Sequence, residues 1–183
     1  MPSPNGTMPA RAGAEGPLVL FICRANSGPS ILAEAILQHL AQGRVRAASA
    51  GERAAERGNP YALECLTAHH IATSGLHSKI WREFFGLDRP PVRVLIALGR
   101  PNAYAMEVNW NQPGVRTAKA HWPTPDPDAV VGSATEVRLA FEEVFITLEA
   151  RIRQFLALPL DRLCDEALLQ QLARIGGVRG DFS

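Results

Sequence analysis

Apolar and polar positions follow two rhythms along this chain. Leu18-Val19-Leu20-Phe21-Ile22 is an unbroken apolar run that ends at Cys23, and residues 92–98 form a second, interrupted only by Arg93. Short continuous runs bounded by turn residues predict strands buried on both faces, as in a parallel sheet. Residues 45–50 and 117–121 predict two shorter strands. Between them the spacing becomes helical. Ile31, Leu32, Ala35, Ile36 and Leu40 share one face of a predicted helix over 31–41, with Ser27 or Ser30 as its cap, Pro29 in its first turn and Gly43 at its end. Asn59-Pro60 is a cap-then-proline pattern that predicts a helix to about residue 70. Ser78 opens a short helical stretch through Trp81, Phe84 and Phe85. Ser133 opens a long amphipathic helix to about residue 156, and Asp161 caps a last one to about residue 175. The three prolines of Trp122-Pro123-Thr124-Pro125-Asp126-Pro127 exclude helix and ladder, so this stretch is a loop.

Strands alternating with helices predict an α/β fold: a three-layer open sheet of four parallel strands flanked by helices. With 183 residues, 46% of them hydrophobic, the chain can bury a full core. Residues 1–16 read as a disordered N-terminal tail, 17–160 as one domain, and 161–183 as a C-terminal helix and tail packed on that domain. A net charge of +1 gives no field that would draw nucleic acid, and no apolar run approaches the roughly 18 residues of a membrane span. Three widely spaced cysteines make no disulfide framework and fit a reducing, cytoplasmic setting.

The chemistry gathers at residues 23–30. Strand, tight loop and helix N-terminus form an anion cradle, because the first helical amides lack partners and the helix dipole is positive there. Cys23 on that rim is a candidate nucleophile. In open parallel sheets ligands bind beyond the strand C-termini. Three loops meet that description: 23–30, 99–103 and 121–128. Cys65 falls on the apolar face of its helix and reads as core. His69-His70 at a helix end suits the dipole and is too small a set for a metal.

The run Val19-Leu20-Phe21-Ile22-Cys23-x-x-Asn26-Ser27-x-x-Ser30-x-x-Ala33-Glu34 resembles the opening of the low-molecular-weight tyrosine phosphatases and of the arsenate reductases built on the same fold. The likeness continues through Ser49-Ala50-Gly51, Asn59-Pro60, Ser78-Lys79, His121-Trp122, Asp126-Pro127 and Arg151 to Leu160. The tail and the His-Trp and Asp-Pro pairs resemble the arsenate reductase branch more. The resemblance implies a low-molecular-weight phosphatase-like fold. It also implies Cys23 as nucleophile, Ser30 as donor to the thiolate, Asn26 as brace of the loop Arg24, Ala25, Asn26, Ser27, Gly28, Pro29 and Ser30, and Asp126 as general acid. The implied partner is a phosphate-, arsenate- or sulfate-like oxyanion, with no bound cofactor or metal.

Two departures stand against it. The family's loop carries an arginine where this chain has Pro29, which offers no charge and no backbone N–H. A guanidinium pairs bidentately with oxyanions, and arginines at phosphoryl transition states are worth about 10³–10⁵ in rate in other enzymes. Arg24 and Arg100 are the candidate substitute cations. Arsenate reductases with an internal thiol relay also use cysteines at the position of Gly28 and after the third strand, where this chain has none. Reduction would then need an external thiol: glutathione with glutaredoxin, or thioredoxin. The sequence thus leaves open an arsenate reductase-like enzyme, a catalytically degenerate relative that binds an anion or a protein, and a tyrosine phosphatase.

Overall fold

The computed structural model describes residues 16–99 and 104–177. The expectations for the N-terminal tail before Gly16, for Arg100 and for the end of the C-terminal tail lie outside the described residues. Four parallel strands form one sheet in the order β2-β1-β3-β4: β1 Leu18–Cys23, β2 Arg46–Gly51, β3 Val92–Ala97 and β4 Ala118–His121. β1 is central and buried along its whole length, as its apolar run predicts. The chain leaves β1 toward β2, then crosses back to β3. The C-terminal ends of β1 and β3 therefore flank the point where the strand order reverses, where such sheets bind ligands.

Alternation along β1 feeds two cores. Val19, Phe21 and Cys23 face a large one shared with α1 (Pro29–Ala41), α2 (Pro60–Ala68), α4 (Ala134–Leu156) and α5 (Asp165–Gly176). Leu18, Leu20 and Ile22 face a thinner one, closed by Trp81 on a 3₁₀ turn (Trp81–Phe84) and by Ala105 on α3 (Tyr104–Glu107), with Trp110 beyond it. Trp81, Phe85, Tyr104 and Trp110 meet as an aromatic group with ring centroids 5.2–5.9 Å apart.

The helix starts differ from expectation at three places, one of them the 3₁₀ turn, which begins at Trp81 and not at Ser78, whose hydroxyl donates to the Asn26 carbonyl. α1 starts at Pro29 with Gly28 as its cap, and no side chain bonds there. Ser30 and Ser27 are turned to other partners, so the local capping signal loses to tertiary bonds. α5 starts at Asp165 behind Cys164, not at Asp161; Asp165 pairs instead with Arg93 of β3 at 2.8 Å. The capping box of α4, Ser133 with Glu136, forms as its sequence implies. α5 packs on β4 and carries the loop after it: Trp122 Nε1 donates to the Leu172 carbonyl at 2.9 Å. The contact is close because Gly176 has no side chain. A Cβ there would lie 2.7 Å from the His121 carbonyl oxygen.

Gly176→Ala therefore forces a methyl group against the His121 carbonyl, and the expected cost is about 1–3 kcal/mol. A urea melt showing a lowered midpoint with unchanged slope checks this; an unshifted midpoint would mean that α5 moves freely on the sheet.

Candidate active site

The loop between β1 and α1 is shaped by its carbonyls. Cys23, Arg24, Ala25 and Ser27 carbonyls accept from Glu52, Arg53, Ala55 and Asn59 amides at 2.8–3.1 Å. The Asn26 carbonyl accepts from Ser78 Oγ at 2.7 Å. Each planar trans peptide directs its N–H opposite its C=O. With the carbonyls of 23–27 turned to the 52–59 segment and Ser78, the amides of 24–28 face the other way, toward the cleft. This is an anion nest in form. Pro29 supplies no sixth amide. Gly51 permits the close approach, since a Cβ there would meet the Ala25 carbonyl carbon and the Asn26 nitrogen at 2.9 Å.

Asn26 is the hub of the loop. It is fully buried and left-handed (φ 51°), a conformation asparagine tolerates better than most residues. Its Nδ2 donates to Ser30 Oγ at 2.9 Å and to Ser49 Oγ at 2.7 Å, and its Oδ1 accepts the Lys79 amide at 2.6 Å. Its own amide points at Cys23 Sγ, 3.2 Å away, and Ser30 Oγ lies 2.9 Å from the same sulfur. Because Ser30 Oγ accepts from Asn26, its hydroxyl hydrogen is left to donate to Sγ. Two donors thus converge on the sulfur.

Behind the hub lies a buried ion pair. Ser49 Oγ donates to Glu34 Oε2 at 2.5 Å, and Lys79 Nζ bonds the same oxygen at 3.2 Å and the His77 carbonyl at 2.9 Å. Both charged side chains are over 90% buried. The Lys79 ammonium is a cation built into the scaffold, with its charge spent on Glu34 rather than offered to the cleft.

The cleft, about 1250 Å³, is lined by Cys23, Arg24, Ala25, Ser27 and Pro29 on one side and by Thr124, Pro125, Asp126 and Asp128 on the other. Cys23 and Asp126, singled out from sequence, are brought to one cavity. Asp126 is exposed, and its Oδ1 accepts the Asp128 amide at 3.2 Å, capping a 3₁₀ turn (Pro127–Ala129). Arg24 is exposed and lines the same space. Arg100 lies outside the described residues. Glu52, Arg53 and Tyr104 complete the rim.

Sequence reasoning missed Asp128. Its carboxylate accepts from Ser27 Oγ and, at 2.8 Å, from Asn59 Nδ2. A Cβ on Gly28 would touch it at 2.9 Å. It thus ties the Asp-Pro segment to the loop after β1 and to the cap of α2. It also sets a negative charge beside an anion nest. The sequence pattern Asp126-Pro127-Asp128 held both candidates, but only the fold tells which carboxylate lies on the loop. Sequence reasoning also missed Arg151 of α4, buried, whose guanidinium donates to the Pro123 carbonyl at 2.8 Å and Thr124 Oγ1 at 3.3 Å. That pair of bonds fixes the root of the Asp126 segment.

A family model described as low molecular weight phosphotyrosine protein phosphatase matches residues 18–172. Among solved structures, an arsenate reductase in a phosphate-binding state is 26% identical, with a TM-score of 0.57, 77% of this chain and 97% of that chain covered. A thioredoxin-dependent arsenate reductase of Corynebacterium glutamicum is 24% identical, TM-score 0.54, covering 78% of this chain and 61% of that one. A tyrosine phosphatase of Erwinia amylovora is 20% identical, TM-score 0.56, with 78% and 92% covered. The latter two likenesses are of fold alone. No curated protein matches the sequence.

The buried pair behind the hub predicts a strongly asymmetric mutational response. Lys79→Met leaves Glu34 charged, buried and unpaired, and should cost about 3–5 kcal/mol. Adding Glu34→Gln should return much of that loss. Denaturant melts of the single and double variants read it directly; a double variant no more stable than Lys79→Met would contradict the pairing.

Proposed function

The chain belongs to the low molecular weight phosphotyrosine protein phosphatase family, and on that premise we propose that it is an oxyanion enzyme of the arsenate reductase type, using Cys23 as nucleophile and an external thiol as reductant. The observation that carries this reading is the convergence of the Ser30 hydroxyl and the Asn26 amide on Cys23 Sγ. These contacts hold the sulfur at the mouth of the amide nest, beside the place an oxyanion would take. The resemblance of the C-terminal stretch, and the 26% identity to a solved arsenate reductase, favour arsenate over an aryl phosphate.

In this reading the Cys23 thiolate attacks arsenic(V), and Asp126 protonates the departing oxygen, which leaves as water. A Cys23–S–As(V) adduct results. An external thiol such as glutathione then attacks the Cys23 sulfur. The S–As bond breaks, and its electron pair stays on arsenic, which departs as arsenite, As(III). Cys23 is left in a mixed disulfide. A second thiol, from glutaredoxin or thioredoxin, reduces that disulfide. Two thiols are oxidised for one arsenic reduced. The second thiol comes from outside because Cys65 sits on α2 within the helical core and Cys164 at the cap of α5, neither of them among the residues lining the Cys23 cleft.

The cation that normally clamps the oxyanion is replaced here by Pro29. Arg24 is the described cation nearest in sequence to the nucleophile on the cleft wall. A second reading, a degenerate relative that binds an anion or a protein without turnover, is favoured by one specific pairing: Pro29 in place of an arginine, and Asp128 placed against Gly28. The tyrosine phosphatase alternative faces the same missing charge.

Arsenite formation from arsenate with glutathione and glutaredoxin tests the main reading. The native protein should exceed background, Cys23→Ser should fall to it, and Asp126→Asn should lose about 10²–10⁴-fold in kcat. Equal arsenite from native protein and Cys23→Ser would instead establish the non-catalytic reading. Pro29→Arg should raise hydrolysis of an aryl phosphate, by up to about 10³-fold where the guanidinium takes up its clamp.

A further inference from the structure

Away from the cleft, one cluster joins α2 to α4. Cys65 and His69 stand four residues apart on α2 and its C-cap, so they share a helix face. Glu142 of α4 reaches both. His69 Nε2 lies 2.8 and 3.0 Å from the two Glu142 oxygens, and Cys65 Sγ lies 3.6 Å from Glu142 Oε2. The three ligand atoms fall within 4.8 Å of one another. Nothing in the oxyanion chemistry uses them.

We propose that Cys65, His69 and Glu142 form a binding site for a borderline divalent transition metal of the zinc class, with a fourth, solvent-facing position for water. Thiolate, imidazole and carboxylate are the ligand types such ions take, and three protein ligands with one open position is a familiar zinc arrangement. Bond lengths of about 2.0–2.3 Å set the donors of a tetrahedral ion roughly 3.3–3.8 Å apart. The sulfur and carboxylate already stand at that separation, while the imidazole nitrogen is a few tenths of an ångström too near the carboxylate and within 4.8 Å of the sulfur. The His69 ring is held for the purpose, stacked on Phe145 with centroids 3.8 Å apart and planes 14° from parallel. About a third of the His69 and Glu142 side chains is exposed, so an ion can enter from solvent.

Protons balance on binding. In the metal-free protein Cys65 is a thiol: burial and the neighbouring Glu142 carboxylate push it up to about 12. The ion displaces that proton to solvent. His69 would ligate through Nε2, the ring nitrogen that already faces Glu142. Thiolate, carboxylate and a dication then sum to zero charge, which suits a half-buried site. The ion would clip the end of α2 to the middle of α4. The other end of α2 is capped by Asn59, the residue that holds Asp128 on the nucleophile loop.

The test uses the full chain carrying Cys23→Ser and Cys164→Ser, which leaves Cys65 as its one thiol and removes the proposed enzymatic nucleophile, so the result stands apart from the arsenate assay. Titration with Co²⁺ should give one ion per chain with a thiolate-to-cobalt charge-transfer band that Zn²⁺ bleaches. The band should vanish in Cys65→Ser, and affinity should fall at least tenfold in both His69→Gln and Glu142→Gln. Zn²⁺ should raise the melting temperature of the parent and leave that of His69→Gln unmoved, a readout independent of any packing loss from the cysteine variant. Absence of the band in the parent, or undiminished affinity in His69→Gln, overturns the site.

Discussion

Everything near the candidate active site hangs on the left-handed backbone of Asn26. That one conformation turns the loop so that five successive carbonyls find partners in the 52–59 segment and at Ser78, leaving the amides on the cleft side. A single buried side chain then fixes Ser30, Ser49 and the Lys79 amide. Asparagine suits the place for two reasons: it accepts a positive φ, and its amide can donate twice while accepting once. The buried Glu34–Lys79 pair is the foundation beneath it. A lysine drawn into a core this dry has to be met by a carboxylate and a carbonyl, and those bonds lock Ser49 and so Asn26. Cys23 is thus positioned by a chain of polar contacts that begins on the far side of the loop from the substrate cleft.

Against this well-built nest stands its charge. The described cleft offers Arg24 and Arg53 on exposed stems, facing Glu52, Asp126 and Asp128. Pro29 brings no amide to the nest, and no charge at the place where the family resemblance implies an arginine. Asp128, by accepting from Ser27 and Asn59, ties the Asp-Pro segment that carries Asp126 to the loop. The loop has the geometry of a nest, with charges of both signs around it. Under the proposed reading, such a site suits a substrate whose later steps take place at sulfur better than one that depends throughout on charge stabilisation of a phosphoryl group.

Much of this was legible in the sequence, for identifiable reasons. The apolar run of β1 is unbroken and that of β3 is broken only by Arg93, and both are almost wholly buried, so periodicity finds them and their parallel setting. The loop chemistry is local, and Cys23, Asn26 and Ser30 are read from seven or eight adjacent positions. What escaped is what needs three dimensions. Ser27 and Ser30 look like helix caps until the fold supplies Asp128 and Cys23 as better partners. Asp161 looks like a cap, but α5 begins four residues later, at Asp165, which pairs with Arg93 of β3. Asp128 and Asp126 are indistinguishable as letters; the turn at Pro127 sends one to the loop and the other to the open cleft. Cys65 was read correctly as buried, but its partnership with Glu142 spans 77 residues and leaves no local trace.

The most direct test of the account is a single turnover on the native chain. Excess arsenate and glutathione, without glutaredoxin, should release one arsenite per chain and leave glutathione on Cys23 as a mixed disulfide, located by mass spectrometry of the peptide that carries it. Cys65 and Cys164 should remain free of any arsenate-dependent label. Arsenite release with no modification at Cys23, or no arsenite above the level seen with Cys23→Ser, would contradict the claim that this loop still positions a working nucleophile.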